Sequence, residues 1–303
     1  MTRLAVGMIV ALTLAGCASN NAIPYNESGD YVWCNKRYLF KNPKQPIVDK
    51  THADVARDGY IYAVAAALAL QKDDEEGRKH WFEQPKRLKL VNEPPREKYG
   101  FEVKAFELYI DENQSRLKEI VVAFVGSNDA ADWFWTNLLF DQSQYEHARN
   151  YVKRIKSQYP NTPLVVTGIS LGGGLAVHVT KDDDTKKMVK AAWAFNPSPK
   201  TYADGKTDDR IWVGAVDGEI LSSLRSAWWR WWPGVNNIGA PADQKAEGYN
   251  LIEANSAYSH FRWVLPRNLL HIADWAIDPN GSTATTEPLE ILRHSSFAAC
   301  KRE

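Results

Sequence analysis

An apolar run from Leu164 to Val166 leads through Thr167 into Gly168-Ile169-Ser170-Leu171-Gly172 and on into Gly173 and Gly174. The pattern predicts a buried strand that turns sharply into a helix, with Ser170 held exposed on the corner in the layout of a nucleophile elbow. Glycine is needed two residues either side of the serine, because strand and helix backbones approach so closely there that a Cβ has no room. A strand followed by a glycine-rich turn also opens phosphate-binding units. No Gly-Lys-Ser/Thr follows here and no Gly-x-Gly-x-x-Gly is present, so the elbow is the better fit.

The N-terminus predicts where this serine works. Arg3 precedes an apolar run from Leu4 to Leu14, followed by Leu14-Ala15-Gly16-Cys17, a short hydrophobic segment with small residues at a cut site. It is too short to span a bilayer as a mature helix. Leu-Ala-Gly-Cys resembles the lipobox of bacterial lipoproteins, which implies a signal peptide over residues 1–16 and a lipidated Cys17 at the start of the mature chain. Ala at position 18, rather than Asp, directs such a lipoprotein to the outer membrane of the cell envelope. An ordinary cleaved signal peptide with an incidental cysteine is the alternative.

The remaining chain is long enough for one sizeable core. Its 37 basic and 37 acidic residues cancel, which argues against a nucleic-acid partner. Once Cys17 is set aside, Cys34 and Cys300 form an even pair, a disulfide candidate in an oxidising compartment or else two thiols. Residues 17–48, with Pro24, Pro43 and Pro46 and no sustained periodicity, read as a tether; residues 49–303 read as one domain without a repeat or internal boundary.

Within that domain the spacing predicts a helix over 53–70 and a hairpin from strands over 101–110 and 117–125. An amphipathic helix carrying Tyr145, Ala148, Val152 and Ile155 follows, stopped at Tyr159-Pro160. The strand before Ser170, the helix after it, and strands over 191–195 and 211–216 complete the pattern. Strand and helix alternate as in a mostly parallel sheet flanked by helices, an α/β architecture with functional groups at the carboxyl ends of strands.

Phe124-x-Gly126-Ser127, Asp132-Trp133 and Val166-Thr167-Gly168-x-Ser170-Leu171-Gly172-Gly173 together resemble the class 3 lipases, a branch of the α/β-hydrolase fold. The resemblance runs from about Ala53 to the C-terminus. It implies a serine esterase or lipase acting on acyl or lipid esters, phospholipids included, with no cofactor. One departure is Ile169, where the family usually has His; the position is outside the catalytic triad and bears on substrate class.

A serine hydroxyl is a weak nucleophile, so this chemistry needs a histidine to take its proton and a carboxylate to orient that histidine. Chain order in the fold is Ser, acid, His. The strand over 211–216 is followed by Asp217 and Glu219; Glu219-Ile220-Leu221-Ser222 matches the family register better, with Asp217 as the alternative. Later histidines are His260, His271 and His294. His294 resembles the family's late histidine, before the C-terminus; His271 and His260 rank after it, His271 lying in an apolar helical stretch where a structural histidine is common. The oxyanion donors expected are the backbone N–H of Leu171 and, by resemblance, Ser127, a residue that could equally cap a helix.

Trp228-Trp229-Arg230-Trp231-Trp232-Pro233-Gly234 admits two readings, a core loop or an acyl-binding wall and interfacial anchor. Trp133 and Trp135 read as core or as pocket lining. His52 and the other early histidines show no metal-ligand spacing, so no metal is expected. Two further functions share the fold: a catalytically inactive lipid-binding envelope lipoprotein, and an acyltransferase. Replacing Cys17 with Ser is expected to abolish lipidation and leave the chain uncleaved or released from the membrane fraction; unchanged processing and attachment would overturn the lipoprotein reading.

Overall fold

The computed structural model describes residues 49–74, 78, 80–91, 101–126, 143–225, 231–249, 256–277 and 287–295. Helix α1 (Lys50–Leu70) opens the domain, its N-terminus capped by Asp49, whose carboxylate accepts from the His52 amide at 2.9 Å. From Val55 onward nearly every residue of α1 is buried, as expected of a helix apolar on all sides. One side meets the sheet and the other meets helix α4 (Val264–Ile277).

The sheet has seven strands in sequence order: β1 (Leu88–Leu90), β2 (Val103–Tyr109), β3 (Leu117–Phe124), β4 (Leu164–Ile169), β5 (Ala191–Phe195), β6 (Ile211–Val216) and β7 (Lys245–Tyr249). β1, β2 and β3 pair antiparallel, and every pair from β3 to β7 is parallel. Alternation along β3 shows how the core divides. Val121 and Ala123 face α1, whereas Ile120, Val122 and Phe124 face helices α2 (Ser143–Gln158) and α3 (Leu171–Lys181). Helix α5 (Leu289–His294) packs against α4.

The predicted hairpin, the amphipathic helix and the strands over 191–195 and 211–216 form within a residue or two of their expected bounds. The periodicity did not predict β1 or β7. β1 has three residues, and β7, Lys-Ala-Glu-Gly-Tyr, is an edge strand with charges on its open side, too short and too polar to give a period-two signal. Cys17, Cys34, Cys300, Ser127, Trp133 and Trp135, with the signal and tether segments, lie outside the described residues.

Helix α3 carries a buried histidine that ties it to the neighbouring layers. His178 Nδ1 donates to the Thr201 carbonyl at 2.9 Å, so its Nε2 is an acceptor, and Arg149 Nη1 donates to it at 2.8 Å. Tyr145 meets the ring edge-on at 5.0 Å. Burial holds the imidazole below its ordinary protonation range; the Thr201 carbonyl and Asp182 oppose this without reversing it. The unfolded chain therefore takes up a proton near pH 6.5 that the native state refuses until lower pH. Stability from this group is complete above about pH 6.5 and is lost as pH falls toward the depressed native value. Melting temperatures measured between pH 7.5 and pH 5 should fall with acidification, and the slope should flatten in His178→Gln. An equal slope in both proteins would assign the effect elsewhere.

Candidate active site

Ser170 occupies the corner between β4 and α3 with φ 60° and ψ −124°, a backbone conformation rare for a residue with a side chain. The surroundings over-determine it. Its N–H donates to Phe195 O at 2.9 Å, and its carbonyl accepts from Gly174 N at 3.1 Å and Ser198 N at 3.0 Å. A Cβ placed on Gly168 would lie 2.3 Å from the Gly172 carbonyl carbon, and one on Gly172 would lie 2.2 Å from Phe124 O. No real side chain fits at either position. The sequence pattern predicts an exposed serine, yet Ser170 is only 4 % accessible. Gly126, two residues past β3, and the 196–198 turn close over the corner, with a Cβ on Gly126 coming within 3.3 Å of the Ser170 Cβ. Among the described residues, Ser170 Oγ has no hydrogen-bond partner. The Leu171 amide begins α3 beside it.

Of the two candidate acids, the structure exposes Asp217 at the end of β6 and buries Glu219 in the turn beyond. Glu219 Oε2 accepts from the Leu221 amide at 2.9 Å and from His260 Nδ1 at 2.5 Å; Oε1 accepts from Arg225 Nη1 at 2.5 Å. Burial pushes the Glu219 carboxyl up, but His260, Arg225 and the Leu221 amide together outweigh it and hold the group below the ordinary carboxylate range. An ionised carboxylate only accepts, so His260 carries its proton on Nδ1 and Nε2 is its basic nitrogen.

The structure therefore brings His260 to Glu219, where the sequence resemblance had favoured His294. His294 ends α5, is exposed, and lines a separate cleft of about 280 Å³ with Glu83, Lys86, Glu112 and Glu290. His271 sits on α4, half-buried. Chain order alone admitted all three histidines. What selects His260 is a short turn, Tyr258–His260, that ends just before α4.

Asn196, which sequence reasoning missed, joins the ends of β5 and β6 to the histidine turn. Its own N–H donates to Gly214 O at 2.9 Å, its Oδ1 accepts from Val216 N at 2.9 Å, and its Nδ2 donates to Ser259 O at 3.4 Å. It is fully buried at φ 40° and directly follows Phe195, the residue that receives the Ser170 amide. One amide side chain thus ties β6, three residues before Glu219, to the residue before His260. A second link runs from Ile220 N to Ser256 O at 3.1 Å. A lone Asn after an apolar strand gives no sequence signal for such a role.

Trp231 is 71 % exposed, so the core-loop reading fails at that residue; Trp232 meets it edge-on at 5.5 Å. Trp228, Trp229 and Arg230 lie outside the described residues.

The mostly parallel sheet with helices on both faces, carrying a strained serine between β4 and α3, defines an α/β-hydrolase. The chain belongs to the phospholipase-like family of Tle-like phospholipase domains, whose model matches residues 86–248, and it is a carboxylic ester hydrolase. No curated protein matches the sequence. Solved structures similar to it include the Lip2 lipase of Yarrowia lipolytica, at 13 % identity and TM-score 0.42 over 72 % of this chain and 94 % of that one. A triacylglycerol lipase from Penicillium expansum is similar at 16 % identity and TM-score 0.39, over 66 % of this chain and 82 % of its own. A lipase from Rhizopus microsporus var. chinensis is similar at 18 % identity and TM-score 0.33, over 73 % and 84 %.

Ester turnover by single variants separates the histidines. His260→Ala should lose about 10⁴-fold or more in kcat, while His294→Ala and His271→Ala stay within a few-fold of wild type. Glu219→Gln should cost about 10³-fold or more and Asp217→Asn little. Near-native turnover in His260→Ala with a dead His294→Ala would restore the sequence-based choice.

Proposed function

We propose that this protein is a phospholipase-type serine hydrolase of the bacterial envelope, anchored through Cys17, that cleaves acyl esters of membrane lipids with Ser170, His260 and Glu219. The observation that carries the reading is the 2.5 Å bond between His260 Nδ1 and a buried, ionised Glu219, in Ser-acid-His chain order after the elbow. The phospholipid substrate class is proposed from the family description. The lipid anchor and the outer-membrane location are proposed from Leu14-Ala15-Gly16-Cys17-Ala18.

In the reaction, Ser170 Oγ attacks the ester carbonyl carbon as its proton passes to His260 Nε2. The imidazolium that forms is stabilised by Glu219 through Nδ1–H. Charge developing on the carbonyl oxygen is met by the Leu171 N–H at the start of α3, with Ser127 proposed as the second donor. His260 then protonates the departing alcohol as the carbon–oxygen bond breaks. Water, deprotonated by the same nitrogen, attacks the acyl-enzyme and releases the fatty acid and free Ser170.

A fluorophosphonate probe tests the nucleophile directly. Wild-type protein should label and Ser170→Ala should not. On phospholipid vesicles the wild type should release free fatty acid, and Ser170→Ala should lose about 10⁴-fold or more of that rate. Release of a phosphorylated headgroup instead of fatty acid, or labelling that survives Ser170→Ala, would refute the assignment. Transfer of the acyl group to an added alcohol in preference to water would make the enzyme a transferase with the same triad.

A further inference from the structure

The carboxylate of Glu219 is entirely buried, and on the side away from His260 it meets a cation. Arg225, with 7 % of its side chain exposed, donates from Nη1 to Glu219 Oε1 at 2.5 Å and to the Pro197 carbonyl at 3.2 Å. Its Nε donates to Glu247 Oε1 at 2.9 Å, and Lys245 Nζ lies 2.8 Å from Glu247 Oε2. Charge therefore alternates along a line from the edge strand to the histidine: Lys245, Glu247, Arg225, Glu219, His260. Arg225 and Glu247 also line a cleft of about 270 Å³ that opens beside Asp217 and Ser222.

A cation in contact with Glu219 works against the carboxylate's task of stabilising an imidazolium. An arginine alone against Glu219 would cancel the field that the histidine needs, because opposite charges in contact leave little net potential at a third group. Glu247 offsets that loss. With it, the Glu247–Arg225–Glu219 group carries one net negative charge, since Lys245 at the outer end of the line has a side chain 42 % exposed and is screened by solvent, while Arg225 still fixes the carboxylate on Oε1 and keeps it ionised despite burial.

We propose that Arg225 and Glu247 form a charge-balanced positioning pair that holds Glu219 and sets the acid limb of the pH–rate profile. Both act on the histidine without bonding it: Arg225 holds Glu219, and Glu247 holds Arg225 and supplies the balancing charge. The proposal rests on the Ser170–His260–Glu219 reading. Other charged groups lie around the site and stay unchanged in the experiment below. Asp217 borders the cleft. On α1, His52 Nε2 bonds the Glu247 carbonyl at 3.1 Å and its Nδ1 bonds Asp49 at 2.9 Å. Arg262 follows the histidine turn, and α4, which packs on that turn, carries Arg267, His271 and Asp274.

The signs follow from Coulomb's law. Removing the Arg225 charge favours the protonated imidazole and relaxes the hold on the Glu219 proton, so the acid limb of kcat/KM should move to higher pH. Removing the Glu247 charge disfavours the imidazolium, so the limb should move to lower pH. At low ionic strength each shift should be about one pH unit.

The test is a set of kcat/KM profiles on a soluble ester for wild type, Arg225→Gln, Glu247→Gln, the double variant and Arg225→Lys, with melting temperatures alongside. Opposite shifts in the two single variants, a limb returning toward wild type in the double variant, and a near-native limb in Arg225→Lys are expected. A merely structural role would lower kcat or melting temperature and leave every limb in place, which would overturn the proposal. If Arg225→Gln fails to fold, Glu247→Gln decides alone: an unmoved or upward limb refutes. His260→Ala is run in parallel. Wild-type rates there would remove the triad reading and this proposal with it, whereas a dead His260→Ala with unmoved limbs removes the proposal only.

Discussion

The geometry of the candidate site depends on how closely β4 and α3 approach at the elbow. A Cβ on Gly168 would stand 2.3 Å from the Gly172 carbonyl carbon and one on Gly172 2.2 Å from Phe124 O, and Gly126, two residues past β3, presses on the same corner. That packing forces Ser170 to φ 60°. The strain is of order 1–3 kcal/mol, and it is sustained because the Ser170 amide and carbonyl are each bonded to a neighbouring loop or strand. Loosening the corner by one methyl group would displace the serine relative to any acid-base partner.

A second constraint is electrostatic. Glu219 is enclosed, and an enclosed carboxylate stays charged only if its oxygens are satisfied by donors. The Leu221 amide, His260 and Arg225 supply them. The same rule operates elsewhere: buried Glu119 is met by the Tyr62 hydroxyl and by Lys190 at 3.1 Å, far from any strand end with a catalytic candidate. Burial and pairing of a carboxylate are therefore not by themselves a functional mark. Glu219 is singled out because one of its donors is a histidine and because it follows β6 at the carboxyl edge of the sheet.

The two glycine-bearing motifs were legible because they report local sterics, which a short stretch of chain states in full. The hairpin and the amphipathic helix were legible for the same reason: periods of two and 3.6 residues are local properties. His260 was harder to read. It lies 41 positions beyond Glu219, in a turn with no periodicity, and it is carried back to the acid by the docking of α4 against α1 together with the bonds from Asn196 to Ser259 and from Ile220 to Ser256. Asn196 and Arg225 were missed for a related reason, since each acts through bonds to residues distant in the chain, and neither residue type in its local context distinguishes a bridge from a surface position.

By itself, the sequence determined the elbow, the parallel strand-helix grammar and the nucleophile candidate, because close backbone approach and hydrophobic period leave a direct imprint on residue type. It also narrowed the acid to two positions, for a carboxylate must follow β6 in this order of strands. The tertiary structure decided which carboxylate is buried, which histidine reaches it and which cation stands behind it. Those choices turn on distances of a few ångströms between segments dozens of residues apart, and such distances are set by how α1, α4 and the sheet pack together, not by any one stretch of chain.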